Sequence, residues 1–291
     1  MLTRRKFMQT GLSAGLAAAL GSSSLYAVPL KGTSVQLIRS ATIKVNMGGT
    51  VFLIDPMLSP KGGWEGFPGT VNSETRNPMI DLPIPVLDIL SDVDAVVLTH
   101  LHEDHWDEHA RKVIPKSMPI FVNDEPHRLV GKKAGFEKVT VLRPNTDFKG
   151  VKLTPMLSQH GTNEQLQHLP DLGTTMGVFF AKVGYRSVYV VGDSIWKPFV
   201  STQIAQYRPD VIVLNTGNAL LTDYPQSIIM GTQDFLRAYR EAPWARIVAV
   251  HMDAINHCVL RRKDLRDAVG RHKLDVRRAL VPDDGEILTF S

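Results

Sequence analysis

Residues 98–107 read Leu98-Thr99-His100-Leu101-His102-Glu103-Asp104-His105-Trp106-Asp107, which contains the pattern His-x-His-x-Asp-His. A short apolar run before this stretch predicts a buried strand, and the residues after it predict a helix. The pattern therefore lies on the loop between the two. Side chains at alternate positions of an extended segment point the same way, so His100 and His102 can hold one metal ion. Asp104 and His105, where the chain turns into the helix, can reach a second ion, and these ligand types suit zinc, iron or manganese.

Other residues of metal-binding type also follow apolar runs that predict strands. They are His160, Asp193 and His251, and His100 shares the same position at the end of a strand. Loops that leave one edge of a sheet converge, and functional residues concentrate there. The sequence therefore predicts one site at one edge of a sheet.

The chain is predicted to begin with strand-rich hairpins and to continue with strand-then-helix units. Met47-Gly48-Gly49-Thr50 predicts a hairpin turn because glycine accepts positive φ. A helix is predicted over 225–240 with proline at its start. The segment from 58 to about 85 is rich in Gly, Pro and Asn and carries Trp64 and Phe67. A loop of this length is usually functional, so we expect a lid or a wall of the site.

Together these motifs resemble the metallo-β-lactamase fold superfamily of metal-dependent hydrolases. Its pattern is His-x-His-x-Asp-His, followed by His, Asp and His at later strand ends. The resemblance covers about residues 33–291 and implies an α/β fold, a four-layer αβ/βα sandwich. Within the superfamily, Ile54-Asp55-Pro56, the stretch from Thr99 to His105, and Asn256-His257 are most similar to the L-ascorbate-6-phosphate lactonase-like branch.

The resemblance implies two divalent metal ions, with Zn²⁺ expected and Mn²⁺ or Fe²⁺ as alternatives. Its ligands for the first ion are His100, His102 and His160; its ligands for the second are Asp104, His105 and His251; its bridging carboxylate is Asp193. Two such ions lower the pKa of a bridging water, and the resulting hydroxide attacks a carbonyl carbon or a phosphorus. Asp104 is also expected to orient that nucleophile.

Departures from two branches of the superfamily narrow the chemistry. His102 stands where flavo-diiron relatives carry glutamate, which favours hydrolysis over redox chemistry. Asp193 stands where the commonest zinc β-lactamases use cysteine, so β-lactamase activity is not expected. The single cysteine, Cys258, lies elsewhere and cannot form an intrachain disulfide.

Five residues outside the ligand set are candidates for other roles. Asp55 is expected to hydrogen-bond a ligand histidine. His257 follows the last ligand closely and can donate a proton to the leaving group or bind substrate, unless it is an ordinary loop histidine. Asn215 and Asn218 can donate to a substrate oxygen or cap their loop. Arg76 can hold an anionic substrate or lie at the surface.

The N-terminus reads Met1-Leu-Thr3-Arg4-Arg5-Lys6-Phe7 and continues with an apolar run over 11–20. A basic start, a short apolar run and a small-residue end are the parts of an export signal. The run is shorter than the about 20 residues that span a bilayer. The pattern resembles the bacterial twin-arginine (Tat) signal. We therefore predict a signal at residues 1–27, export by the Tat machinery and a periplasmic location, with an uncleaved anchor as the alternative.

The signal also carries most of the net charge. The formal charge is +4, and residues 1–27 contribute three basic residues and no acid, which leaves about +1. This charge gives no reason to expect nucleic-acid binding. The chain has 291 residues, and the 264 that follow the signal fit one domain.

Three functions remain open from the sequence. The first is an exported binuclear hydrolase that cleaves a lactone or another carboxylic ester. The second is a phosphodiesterase acting on nucleotide or phospholipid-like substrates. The third is a non-catalytic, metal-containing binding protein, which the intact set of seven ligands argues against. The expected partner is a small-molecule substrate.

Overall fold

The computed structural model describes residues 32–291, so the predicted signal at 1–27 lies outside the described residues. Two seven-stranded sheets pack face to face, and helices cover both outer faces. The predicted α/β fold, a four-layer sandwich, is confirmed. Between residues 32 and 291, no helix has the length and apolar character needed to cross a bilayer.

The first sheet contains both hairpin strands and parallel strands. Its strands are β1 (Thr33–Arg39), β2 (Thr42–Met47), β3 (Thr50–Ile54), β4 (Ala95–Val97), β5 (Ile120–Val122), β6 (Val139–Val141) and β14 (Ile287–Phe290), in the spatial order β14-β1-β2-β3-β4-β5-β6. The turn between β2 and β3 forms as predicted, with φ of 66° at Gly48 and 82° at Gly49.

The second sheet lies opposite the first. Its strands are β7 (Thr146–Phe148), β8 (Val151–Leu157), β9 (Met176–Ala181), β10 (Val188–Val190), β11 (Val211–Asn215), β12 (Arg246–Val250) and β13 (Ala279–Leu280), in the order β13-β12-β11-β10-β9-β8-β7. Strands β10 to β13 run parallel to one another, which places their carboxyl ends at the same edge.

Seven α-helices and one 3₁₀ turn are formed within the described residues. The helices are α1 (Val86–Leu90), α2 (Glu108–Val113), α3 (Glu125–Lys133), α4 (Asn163–His168), α5 (Pro198–Tyr207), α6 (Thr232–Glu241) and α7 (Arg262–Arg271), and the 3₁₀ turn is Pro170–Leu172. Helix α2 begins at Glu108, a little later than predicted, because Asp107 caps it by accepting a hydrogen bond from Ala110 N at 2.7 Å.

Side chains of the central strands alternate between two apolar layers. In β11, Val211 and Val213 face the core between the sheets, whereas Ile212 and Leu214 pack under the outer helices. This is the two-residue period of a strand that is buried on both faces. The core holds the strand ends rigidly, and the site is built on those ends.

The helix predicted over 225–240 begins only at Thr232. Backbone groups before it bond to other loops instead: Ile228 N donates to Ala219 O at 3.0 Å, and Ile228 O accepts from Gly161 N at 2.8 Å. A helix there would leave those loop groups without partners. The segment is therefore an irregular loop that lies against the loop carrying His160.

Candidate metal centre

The seven residues predicted as ligands meet at one edge of the sandwich. His100, His102, Asp104 and His105 lie on the loop that follows β4. His160 follows β8, Asp193 follows β10, and His251 directly follows β12. All are buried except His102, which is half-buried. The convergence predicted from the strand ends is thus present in the fold.

The side chains form two groups, each with three atoms able to bind a metal ion. The first group is His100, His102 and His160; the second is Asp104, His105 and His251. Within each group these atoms lie within 4.8 Å of one another. Asp55 with His100 and His105 also meets this distance, but Asp55 is held by hydrogen bonds from Thr99 and His105.

Asp193 lies between the two groups. Its Oδ2 atom is 3.2 Å from His105 Nε2, 3.6 Å from His160 Nε2 and from His251 Nε2, and 3.8 Å from His100 Nε2. Its other oxygen, Oδ1, accepts a 2.6 Å hydrogen bond from Asn215 Nδ2. One carboxylate oxygen therefore faces both groups, as a bridging ligand must.

Most of the ligand histidines have a hydrogen-bond partner at Nδ1, on the side of the ring that faces away from the cluster of seven ligand residues. Asp55 Oδ2 lies 2.9 Å from His105 Nδ1. His160 Nδ1 donates to Ile228 O at 2.9 Å, and Thr99 Oγ1 lies 3.1 Å from His100 Nδ1. A ring whose Nδ1 carries such a partner presents Nε2 to the cluster in a fixed orientation.

The backbone has positive φ at the ligand His251 and at Asp55, the partner of His105. His251 has φ of 66° and Asp55 has φ of 46°, in the left-handed region that residues with a side chain seldom occupy. Each residue directly follows a strand, and the sharp change of direction turns its side chain towards the cluster. Such conformations persist where the surrounding structure holds them, and they concentrate at functional sites.

A cavity of about 330 Å³ opens onto the cluster. One side is formed by His102, Asp104, His160 and Asp193. The remaining wall is largely apolar and contains Phe67, Pro68, Leu169, Leu172, Leu221 and Ile228. The described lining residues include no lysine or arginine, so the cavity suits an uncharged, apolar group next to a polar reaction centre.

His257 also lines this cavity. Its ring lies edge-on to Phe67 with the centroids 5.1 Å apart, and it is 6% exposed. Burial lowers the pKa of His257 to about 4, so the imidazole is neutral at pH 7. A neutral ring still has one N–H to donate, so it can orient a polar atom of a substrate.

A sequence profile described as the beta-lactamase superfamily domain matches residues 50–252 of this chain. The chain belongs to the metallo-β-lactamase fold hydrolase superfamily. The matched segment includes all seven residues of the cluster.

Relatives in this superfamily cover nearly all of the described chain. The UPF0173 protein YddR of Bacillus subtilis is 38% identical over 257 residues, which are 88% of this chain and 100% of that protein. A possible metal-dependent hydrolase from Veillonella parvula is 41% identical, with a TM-score of 0.87 over 89% of this chain and 100% of that one. An isothiocyanate hydrolase from Delia radicum gut bacteria is 40% identical, with a TM-score of 0.84 over 88% and 99%.

The protein is thus a metal-dependent hydrolase of the metallo-β-lactamase fold, and its side chains fit that assignment. Burial lowers the pKa of His100, and lowers that of His160 to about 4, which keeps both rings in the neutral form that binds metal. Burial opposes protonation of His105, but the carboxylates of Asp193 and Asp104 outweigh it and raise the pKa to about 10. The cluster therefore favours positive charge, which a divalent cation supplies.

Among the candidate residues outside the ligand set, Asp55 contacts His105, as expected. Asn215 donates to Asp193 rather than into the cavity. Asn218 lines a separate surface pocket, and Arg76 pairs with Glu65 outside the cavity.

Two polar partners of the cluster were not predicted from the sequence. They are Thr99 and Ser40, whose Oγ lies 3.2 Å from His251 Nδ1. The position of Thr99, directly before the first histidine of the motif, was the available signal. Ser40 has no comparable signal, because it lies 211 residues from its partner.

Proposed function

We propose that this chain hydrolyses small, uncharged electrophiles with an apolar substituent, and that organic isothiocyanates are its substrate class. The observation that carries the proposal is the cavity: its apolar walls meet the cluster without a described basic residue. The 40% identical isothiocyanate hydrolase supports the same chemistry. An isothiocyanate, R–N=C=S, carries no charge and offers an electrophilic central carbon.

The cluster would hold two divalent metal ions, Zn²⁺ being the proposed species. His100, His102 and His160 would hold one, with Asp193 shared between the two; the ligands of the other would be Asp104, His105 and His251. When bound, such ions lower the pKa of water towards neutrality and stabilise negative charge on the substrate.

The chain's own side chains would orient the reactants. Asp104 borders the cavity with Oδ2 3.3 Å from His251 Nε2, so it can accept a hydrogen bond from the attacking water. His257, on the cavity wall, would direct its N–H to the nitrogen or sulfur of the substrate. Phe67 and Ile228 would pack against the substituent R and exclude bulk water.

The reaction balances with water as the only co-reactant. Water forms a C–O bond at the central carbon, and its protons end on nitrogen. The C–N bond then breaks, so R–NCS and H₂O give R–NH₂ and O=C=S. No oxidant or reductant is needed.

Lactones and other carboxylic esters are the second candidate. They also present an uncharged, electrophilic carbon, so the same apolar cavity suits them. A phosphodiester brings a negative charge, and away from the cluster the described cavity lining offers no lysine or arginine to pair with it. Uncharged substrates therefore fit this lining better, and the hydrolase relatives argue against a non-catalytic role.

The test is a substrate panel on protein loaded with Zn²⁺ or Mn²⁺. It comprises allyl and 2-phenylethyl isothiocyanate, a γ- and a δ-lactone, and bis(p-nitrophenyl) phosphate, with Asp193→Asn as the inactive control. We expect amine release from the isothiocyanates, at a rate that chelation abolishes. Faster turnover of the lactones would replace isothiocyanates by the second candidate, and faster turnover of the phosphodiester would refute the proposal.

A further inference from the structure

The Asn256 side chain joins the middle of the segment from 58 to about 85 to the loop that follows β12. This residue follows the last ligand, His251, by five positions and is 1% exposed. Its Nδ2 donates to Thr70 Oγ1 at 2.8 Å and to Val71 O at 2.9 Å. Its Oδ1 accepts from Asn77 Nδ2 at 2.8 Å. Both N–H groups and the carbonyl of the amide are therefore used.

The backbone of Asn256 takes part in the same set of hydrogen bonds among Asn256, Thr70, Val71 and Asn77, which we call the joint. Its N–H donates to Asn77 Oδ1 at 2.9 Å, so the two asparagines bond reciprocally. Asn77 in turn pairs its backbone with Trp64, through N–H···O bonds of 2.8 and 2.9 Å. Only an amide supplies both the donors and the acceptor that this joint needs, because a carboxylate lacks the donors.

The joint fixes two sides of the cavity relative to each other. On one side His257 follows Asn256 directly in the chain. On the other side, Phe67 N donates to Asn256 Oδ1 at 3.3 Å, and the Phe67 ring packs edge-on against His257. Trp64 supports Phe67 from behind, with the ring centroids 5.1 Å apart. A shift of Asn256 would therefore move Phe67 relative to His257.

We propose that Asn256 is a positioning residue that sets the width of the cavity and thereby selects substrates by the size of their apolar substituent. Asn256 belongs neither to the residues that line the cavity nor to the two ligand groups. The inference rests on the proposed function for the identity of the substrates, but the joint itself can be tested without turnover. Displacement of a positioning contact by about 1 Å can cost up to about 100-fold in rate.

The test uses two changes at the joint. Asn256→Asp keeps the shape of the side chain but removes both donors. Thr70→Val removes the hydroxyl that accepts from Asn256 and donates to Phe67 O at 2.7 Å, and because Thr70 itself lines the cavity, this variant is read by hydrogen exchange alone. Thr70→Ser keeps that hydroxyl, and Asn46→Asp, at the distant β2–β3 turn, controls for the change of amide to acid.

Three readouts are compared: amide hydrogen exchange of residues 64–77, metal content, and the ratio of kcat/KM for 2-phenylethyl over allyl isothiocyanate. We expect Asn256→Asp and Thr70→Val to speed exchange at least about tenfold with metal content unchanged, and Asn256→Asp, whose side chain does not line the cavity, to change the ratio about tenfold through KM. Thr70→Ser and Asn46→Asp should leave the exchange as in the wild type.

The outcomes separate this inference from the proposed function. If the wild type turns over no isothiocyanate, the proposed function fails. Size selection is then measured as the affinity for a graded series of alkyl and phenylalkyl thiols, which need only the metal and the cavity. Slow exchange in Thr70→Val and Asn256→Asp, or faster exchange in Asn256→Asp with unchanged size selection, would overturn the role of Asn256.

Discussion

Removal of the Asn215 side chain tests how Asp193 is held between the two ligand groups. Asn215→Ala deletes the 2.6 Å hydrogen bond to Asp193 Oδ1. That bond fixes the orientation of the carboxylate, whose other oxygen, Oδ2, faces the histidines. A hydrogen bond to a buried charged group contributes about 1.5–3 kcal/mol. Because about 1.4 kcal/mol corresponds to a factor of ten, we expect metal affinity to fall about 10- to 100-fold.

The assay is competition between the protein and a chromophoric chelator of known affinity, read alongside kcat/KM at saturating metal. Asn46→Ala provides the control, since the Asn46 side chain accepts from Gly49 N in the β2–β3 turn, at the opposite end of β3 from Asp55. Circular dichroism and the melting temperature establish that the fold is intact. A loss of metal affinity smaller than about twofold, in a folded Asn215→Ala protein, would refute this account of Asp193.

Three further perturbations test other parts of the account. Asp55→Asn should weaken metal binding about 10- to 100-fold, because His105 loses its carboxylate partner, and chelator competition measures it. His257→Gln should keep the metal while kcat falls about 100-fold, as kinetics with parallel metal analysis will show; loss of metal would instead make it a ligand or a structural residue. Replacement of Arg4 and Arg5 by lysine should hold the protein in the cytoplasm, and unchanged arrival in the periplasm by fractionation would contradict the twin-arginine signal.

The sequence predicted the fold and the meeting of the cluster residues because both follow from local rules. His100, His102, Asp104 and His105 lie within six positions, so their proximity needs only one loop. His160, Asp193 and His251 follow strands of the second sheet, and loops beyond neighbouring strands converge. The apolar runs that predict those strands, together with the superfamily motif, were sufficient to place them.

Contacts between distant segments were not predictable in the same way. Asn256 bonds to Thr70 and Asn77, which precede it by 186 and 179 residues, and nothing in the local pattern of either segment indicates the other. The helix predicted over 225–240 started late for a related reason. The backbone of Ile228 has partners in the loops after β8 and β11, and such tertiary bonds override the local signal of Pro225.

The number and position of bound metal ions decide whether the seven residues form a two-metal centre. The measurement is elemental analysis of protein dialysed against Zn²⁺, together with anomalous scattering from crystals of the same sample. Two ions per chain are expected, about 3.5–4 Å apart, with Asp193 between them. One ion per chain, or two ions of which either lies away from Asp193, would refute a two-metal centre bridged by Asp193.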